Sequence, residues 1–186
     1  MITLSLLWSI FHNWQLHRIA ALEKEKYHSS LAGAISEFYT QRKVTVSYVD
    51  IKKTIATLEK VIPKYFDNHE YKVDDFLALA VIESDFNRYC IGKAGERGMF
   101  QILDWKTALV EIETPLANPF DIEVNIKMAC YVLKQKHLQY KNYRDAIIAY
   151  NGYIINDKGE VVDKYWQKFI QAQKLIQELK GQAKEL

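Results

Sequence analysis

The sequence predicts a mainly α-helical fold, and three observations carry that expectation. Only 3 prolines and 7 glycines punctuate 186 residues, so long stretches run without a breaker. Apolar residues recur at helical spacing, most clearly Ile126, Ala129, Cys130 and Leu133, which share one helix face. Helix-start and helix-stop residues flank such segments, with Asp74 and Asp75 ahead of one and Asn151-Gly152 behind another.

Taken in order, residues 1 to about 40 read as helix, with Gly33 tolerated inside it at a cost of roughly 1 kcal/mol. Arg42 to Asp50 contains Val44, Thr45, Val46 and Val49, a β-branched run that predicts extended chain. Helical spacing returns over Ile51 to Phe66, apart from Pro63. Asp74 and Asp75 suit the start of a helix over 74–84, because acids favour its positive end. Gly92, Gly95 and Gly98 then mark a loop with tight turns. Asp104 or Thr107 opens the next helix, Pro115 and Pro119 punctuate a loop, and Ile122–Tyr140 and Tyr143–Tyr150 follow as helices. Asn156-Asp157-Lys158-Gly159 reads as the turn of a small β-hairpin, and Lys164–Leu179 as a last amphipathic helix.

Length and a hydrophobic content of 49% suit one domain with an appendage. We divide the chain into an N-terminal helical appendage, 1–50, and a main domain, 51–186. A formal charge of +2 from 25 basic and 23 acidic residues gives no strong pull toward nucleic acid, which is not an expected partner. Cys90 and Cys130 lie far apart without C-x-x-C spacing, so two free thiols are expected, with one bridge between them as the alternative. The five histidines show no ligand spacing, and no metal or other cofactor is expected.

Met1 to Phe11 is apolar apart from Thr3, Ser5 and Ser9, and polar residues follow at once. That is shorter than the roughly 20 residues of a membrane span, and no basic residue precedes it as in a secretory signal. A docking or interfacial helix is expected, with Trp8 and Trp14 suited to a protein or lipid contact. An uncleaved signal-anchor is the alternative.

The chemistry centres on Glu83, which ends an almost wholly apolar run, Ala78 to Ile82. In a helix over 74–84, Phe76, Leu79, Ala80 and Glu83 fall on one face. The carboxylate thus points where core residues point. Desolvation raises its pKa, the condition for a general acid near neutral pH; a helix-end Glu tilting into water is the other reading.

Further motifs follow in order: Glu83-Ser84-Asp85-Phe86-Asn87, Gly95-Glu96-Arg97-Gly98-Met99-Phe100-Gln101-Ile102, Asn125-Ile126, Ala149-Tyr150-Asn151-Gly152 and Tyr165. In order and spacing this set resembles the soluble lytic transglycosylase family of lysozyme-like folds, over about residues 55 to 180. The resemblance implies a lysozyme-like helical domain. It also implies cleavage of the β-1,4 bond between N-acetylmuramic acid and N-acetylglucosamine in peptidoglycan, leaving a 1,6-anhydro end.

Under that resemblance Glu83 is the single catalytic acid and then base. Ser84, Met99, Phe100, Gln101, Tyr150 and Asn151 are expected to contact the glycan, and Tyr165 to orient Glu83. Ordinary glycosidases need two carboxylates; here the sugar's own groups complete the displacement, which profits from high effective molarity. Glu96 and Asp85 are candidates for a second carboxylate, which would shift the reaction toward hydrolysis. The chain departs from the family pattern at Met99-Phe100, in place of Leu-Met, and at Arg88, Cys90 and Gly92, in place of a Pro, a small residue and a Ser. Those changes bear on loop geometry and subsite preference.

Two rivals are a Cys90 peptidase using His69 or His137 as base, and a non-catalytic glycan-binding module. Peptidoglycan lies outside the cytoplasmic membrane. The expected partners are therefore the glycan strand and, through residues 1–50, a larger assembly such as a virus particle or secretion apparatus. An envelope protein held at the membrane by its N-terminal helix is the alternative.

Overall fold

The computed structural model describes residues 4–67, 70–152 and 163–184. Among them are seven helices: α1 (Leu4–Gln41), α2 (Tyr48–Tyr65), α3 (Val73–Ser84), α4 (Trp105–Glu111), α5 (Ile122–Tyr140), α6 (Tyr143–Tyr150) and α7 (Lys164–Lys184). The mainly helical expectation holds. The turn at Asn156–Gly159, with its hairpin, lies outside the described residues, as do Met1 to Thr3 and His69.

α3 is the central element. Phe76, Leu77, Ala78, Leu79 and Ala80 are all fully buried, so five successive residues meet protein on every side. The helix starts after Lys72 rather than at Asp74; Asp75, the third helical residue, accepts the Lys72 backbone N–H at 2.7 Å. Asp75 is itself buried and also accepts from Tyr143 on α6 at 2.9 Å and from Gln173 on α7 at 2.6 Å. Satisfied acceptor capacity is what lets a carboxylate sit inside. Around α3 pack α2 and α7, while α5 packs on α2, α4 and α6.

The run from Arg42 to Asp50 forms no strand. A turn follows α1, and α2 begins at Tyr48 because Ser47 caps it, its hydroxyl accepting from Asp50 N–H at 3.2 Å. A local cap outweighs β-propensity where no partner strand exists. Pro63 sits inside α2 near its C-terminal end, where it removes one backbone donor. α7 runs on past Leu179 to Lys184.

α1 has two characters. Trp8, Phe11, Trp14, Ile19 and Leu22 are more than half exposed. From Tyr27 onward the helix turns inward: Leu31, Ala32, Ile35 and Tyr39 are buried against α2 and α7. Residues 27–41 thus share the core of the main domain. Cys90 and Cys130 are both free thiols.

This packing has a direct consequence. Removal of residues 1–26 is expected to leave the thermal midpoint within about 3 °C of the full chain, since exposed ion pairs are the main loss. Removal of residues 1–41 strips Leu31, Ile35 and Tyr39 from the core, each worth roughly 2–5 kcal/mol, and is expected to abolish cooperative unfolding by circular dichroism.

Candidate active site

Glu83 stands on the last turn of α3, half-buried, in the wall of a cleft of about 470 Å³. Burial pushes its carboxyl up to about 7. The nearby negative charge of Glu96 acts in the same direction, while the hydrogen bond from Tyr165 and the charge of Lys168 oppose it. The C-terminal end of a helix also disfavours a carboxylate. Tyr165, at the start of α7, donates its hydroxyl to Glu83 Oε1 at 2.5 Å, fixing the side chain. Burial pushes the Tyr165 phenol well above its usual range, and the adjacent Glu83 adds to that, so this group is a donor and not a competing base.

The second wall is the loop from Asn87 to Leu103. It carries isolated bridges from Arg97 to Ile91 and to Ile102, and Gly95 and Gly98 take the positive φ values its turns require, 96° and 81°. Side chains from elsewhere in the fold pin it. Ser84 donates to Met99 O at 2.7 Å, and Tyr150 donates to Phe100 O at 2.9 Å. Asn125 on α5 does three things at once. Its Oδ1 accepts from Phe100 N–H at 2.9 Å, and its Nδ2 donates to Arg97 O and Pro119 O at 3.1 and 3.0 Å. Asp50 on α2 pairs with the loop's Arg88 at 3.4 Å.

The structure brings Glu83, Gln101, Tyr150 and Asn151 to one cleft, with Tyr165 bonded to Glu83. Gln101 Nε2 donates to Gly98 O and Cys90 O at 2.8 and 3.2 Å, so its amide braces the loop as well as lining the cleft. Met99 and Phe100 do not line the cleft: they are 1% and 0% exposed, with Phe100 edge-on to Phe76 at 6.1 Å. Their side chains fill the core while their carbonyls anchor the loop. The Ser84 hydroxyl is likewise committed to Met99 O.

Glu96 lines the cleft, but its Oε2 accepts from Ala94 N–H at 3.0 Å. The bare Gly92 makes room for it, because a Cβ there would collide with the Glu96 carboxyl and the Gln101 amide. Asp85 is exposed and accepts from Tyr39. Cys90 is held protonated, its thiol raised by burial and by the charges of Glu83, Glu96 and Asp85. His137 is engaged by Tyr71 and Glu70 at 3.1 and 3.2 Å. Neither fits the peptidase alternative.

Sequence reasoning did not assign the opposite wall. Tyr131, Gln135 and Gln139, at successive i+4 positions of α5, line the cleft, as do Asp104 and Thr107 at the start of α4. A polar stripe on α5 opposite its apolar face was the available signal. Asn125, 2% exposed among apolar neighbours, marks itself in the same way, since a buried amide must have partners.

A family model described as the transglycosylase SLT domain matches residues 61–172. Neither the curated proteins nor the solved structures contain a match to the chain.

Asn125→Ala takes a hydrogen-bond partner from Phe100 N–H, Arg97 O and Pro119 O together. It is expected to cost roughly 2–4 kcal/mol in urea unfolding. Glu83→Gln is expected to do the opposite. A carboxyl whose folded pKa lies above its unfolded value loses stability as pH rises between the two, from about 4.5 to about 7. The amide should therefore stabilise the fold at pH 8 by on the order of 1 kcal/mol or more, and by little at pH 4, in parallel thermal melts.

Proposed function

The chain belongs to the transglycosylase SLT domain family, and from that membership we propose that it is a lytic transglycosylase of peptidoglycan in which Glu83 is the one catalytic carboxyl. The observation that carries this reading is the pair formed by a carboxyl raised to about 7 and a tyrosine hydroxyl 2.5 Å away, in a cleft. An acid with a pKa near the working pH is protonated often enough to donate and weak enough to be used again as a base.

The bond cut is the β-1,4 link between N-acetylmuramic acid and N-acetylglucosamine. Protonated Glu83 gives its proton to the bridging oxygen as the bond from that oxygen to the muramic C1 breaks. The resulting Glu83 carboxylate, held by the Tyr165 hydroxyl, takes the proton of the same sugar's C6 hydroxyl as its oxygen bonds to C1. A 1,6-anhydro ring forms, no water is consumed, and Glu83 ends protonated. Gln101 and Asn151 supply polar contacts for sugar hydroxyl and acetamido groups, and Tyr150 holds the loop bearing Gln101 through Phe100 O.

A muramidase that hydrolyses the same bond is the second reading, favoured by the presence of Glu96 in the same cleft. Its carboxyl is already bonded to Ala94 N–H, which argues for a loop-holding role over water activation.

The substrate puts the site of action in the cell wall or periplasm. No helix among the described residues is long and apolar enough to cross a membrane. The exposed apolar part of α1, with Trp8, Phe11 and Trp14, supports docking to a larger assembly, a virus particle or secretion apparatus, that brings the enzyme to the wall. Contact of this helix with a membrane surface is the alternative.

Digestion of purified peptidoglycan, with mass analysis of the new ends, tests the reaction. Wild type is expected to leave anhydro ends and Glu83→Gln to cut at least ~100-fold more slowly; reducing ends from wild type would make the enzyme a hydrolase. Activity should fall as pH rises through about 7, because the acid must enter protonated. Tyr165→Phe removes a bond that favours the ionised form, so its basic limb is expected to move up and its kcat down. Deleting residues 1–26 should abolish co-purification with the assembly and leave digestion of purified wall intact; unchanged co-purification would contradict the docking role.

A further inference from the structure

The chain leaves α3 through two consecutive non-glycine residues in the left-handed region, Asp85 at φ 51° and Phe86 at φ 61°. Asp tolerates that region, whereas a bulky Phe does so only when its surroundings impose it. Backbone bonds supply part of the hold, from Asp85 N–H to Val81 O and from Phe86 N–H to Ala80 O, at 3.3 and 3.2 Å. A side-chain hold comes from α1. Tyr39, 4% exposed, donates its hydroxyl to Asp85 Oδ1 at 2.9 Å. Its ring meets the buried ring of Phe86 edge to face, with centroids 6.1 Å apart and planes at 81°. One side chain thus grips both strained residues, which directly follow the last turn bearing Glu83. Tyr39 lies outside residues 61–172, the part matched by the family model.

We propose that Tyr39 is a positioning residue for the reaction, acting through Asp85 and Phe86 to hold the last turn of α3 and with it the direction of the Glu83 carboxyl. The proposal rests on the reading of Glu83 as the catalytic acid. Glu83 has to meet Tyr165 on one side and the scissile oxygen on the other, and misplacement by about 1 Å is enough to cost a large part of the rate. Through Tyr39, α1 is thereby a working part of the enzyme, and not a tether alone.

Tyr39→Phe keeps the ring and removes the hydroxyl. On peptidoglycan its kcat is expected to fall ~10-fold with KM within about twofold. Asp85→Asn keeps an acceptor and tolerates the left-handed region, so it should stay within about twofold of wild type in both constants. Asp85→Ala should fall with Tyr39→Phe, and the double variant Tyr39→Phe/Asp85→Ala should be no slower than the slower single variant, as for two ends of one interaction. Amide exchange followed by NMR gives a readout independent of turnover: in Tyr39→Phe the Asp85 and Phe86 amides should exchange ~10-fold faster while those of α5 are unchanged. Unaltered kcat and exchange, or a loss shared by α5 amides and tracking the melting temperature, overturns the proposal. If wild type fails to cleave peptidoglycan, the functional reading falls and the exchange rates still decide whether Tyr39 holds the turn.

Discussion

A carboxyl taken out of water needs compensating structure, and the arrangement around Glu83 follows from that requirement. α3 delivers it from a helix whose middle is fully buried, so the core fixes the backbone that carries the acid. The hydrogen bond from Tyr165 then holds it at 2.5 Å. Because Tyr165 belongs to α7 and α7 packs along α3, the late part of the chain must close over the middle before the site exists. Burial and Tyr165 pull the pKa in opposite directions, and burial wins, leaving the group near 7. That balance suits the role proposed for Glu83, of giving a proton and then taking one back.

The same requirement governs the loop opposite. Gly98 carries no side chain because a Cβ would collide with the Asn125 amide, and that amide reaches three backbone groups from a single buried position. Ser84 and Tyr150 take the carbonyls of Met99 and Phe100. The loop is therefore held where it faces Glu83, and Met99 and Phe100, expected from the sequence to meet the sugar, act as its root in the core. The polar groups that line the cleft are instead those of Gln101, Asn151 and the polar stripe of α5.

What could be read from the sequence was what is locally encoded. α5 and α6 match their expected limits because their caps and spacing lie within a few residues of the ends. Glu83 stood out because an acid closing an apolar helix is costly wherever it points inward. The motif order led to Gln101, Tyr150, Asn151 and Tyr165, and the structure gathers the first three in the cleft and bonds the fourth to Glu83. Tertiary partnerships were out of reach. Nothing near Ser84 announces that its hydroxyl goes to Met99 O, and loop residues carry no period to tell whether Phe100 faces glycan or core. Tyr39 reaches Asp85 across 46 positions, a contact that no local pattern encodes. The run at Arg42–Asp50 misled because β-propensity describes fit to a sheet, and here a Ser47 cap started a helix instead.

The most direct test of the account is an NMR titration of the Glu83 side-chain carboxyl in the free enzyme, assigned by comparison with Glu83→Gln. The buried acid held by Tyr165 should titrate near pH 7. A midpoint near the ordinary carboxylate value of about 4.5 would mean that Glu83 is solvated and ionised at neutral pH, and a single-carboxyl mechanism built on it would fail.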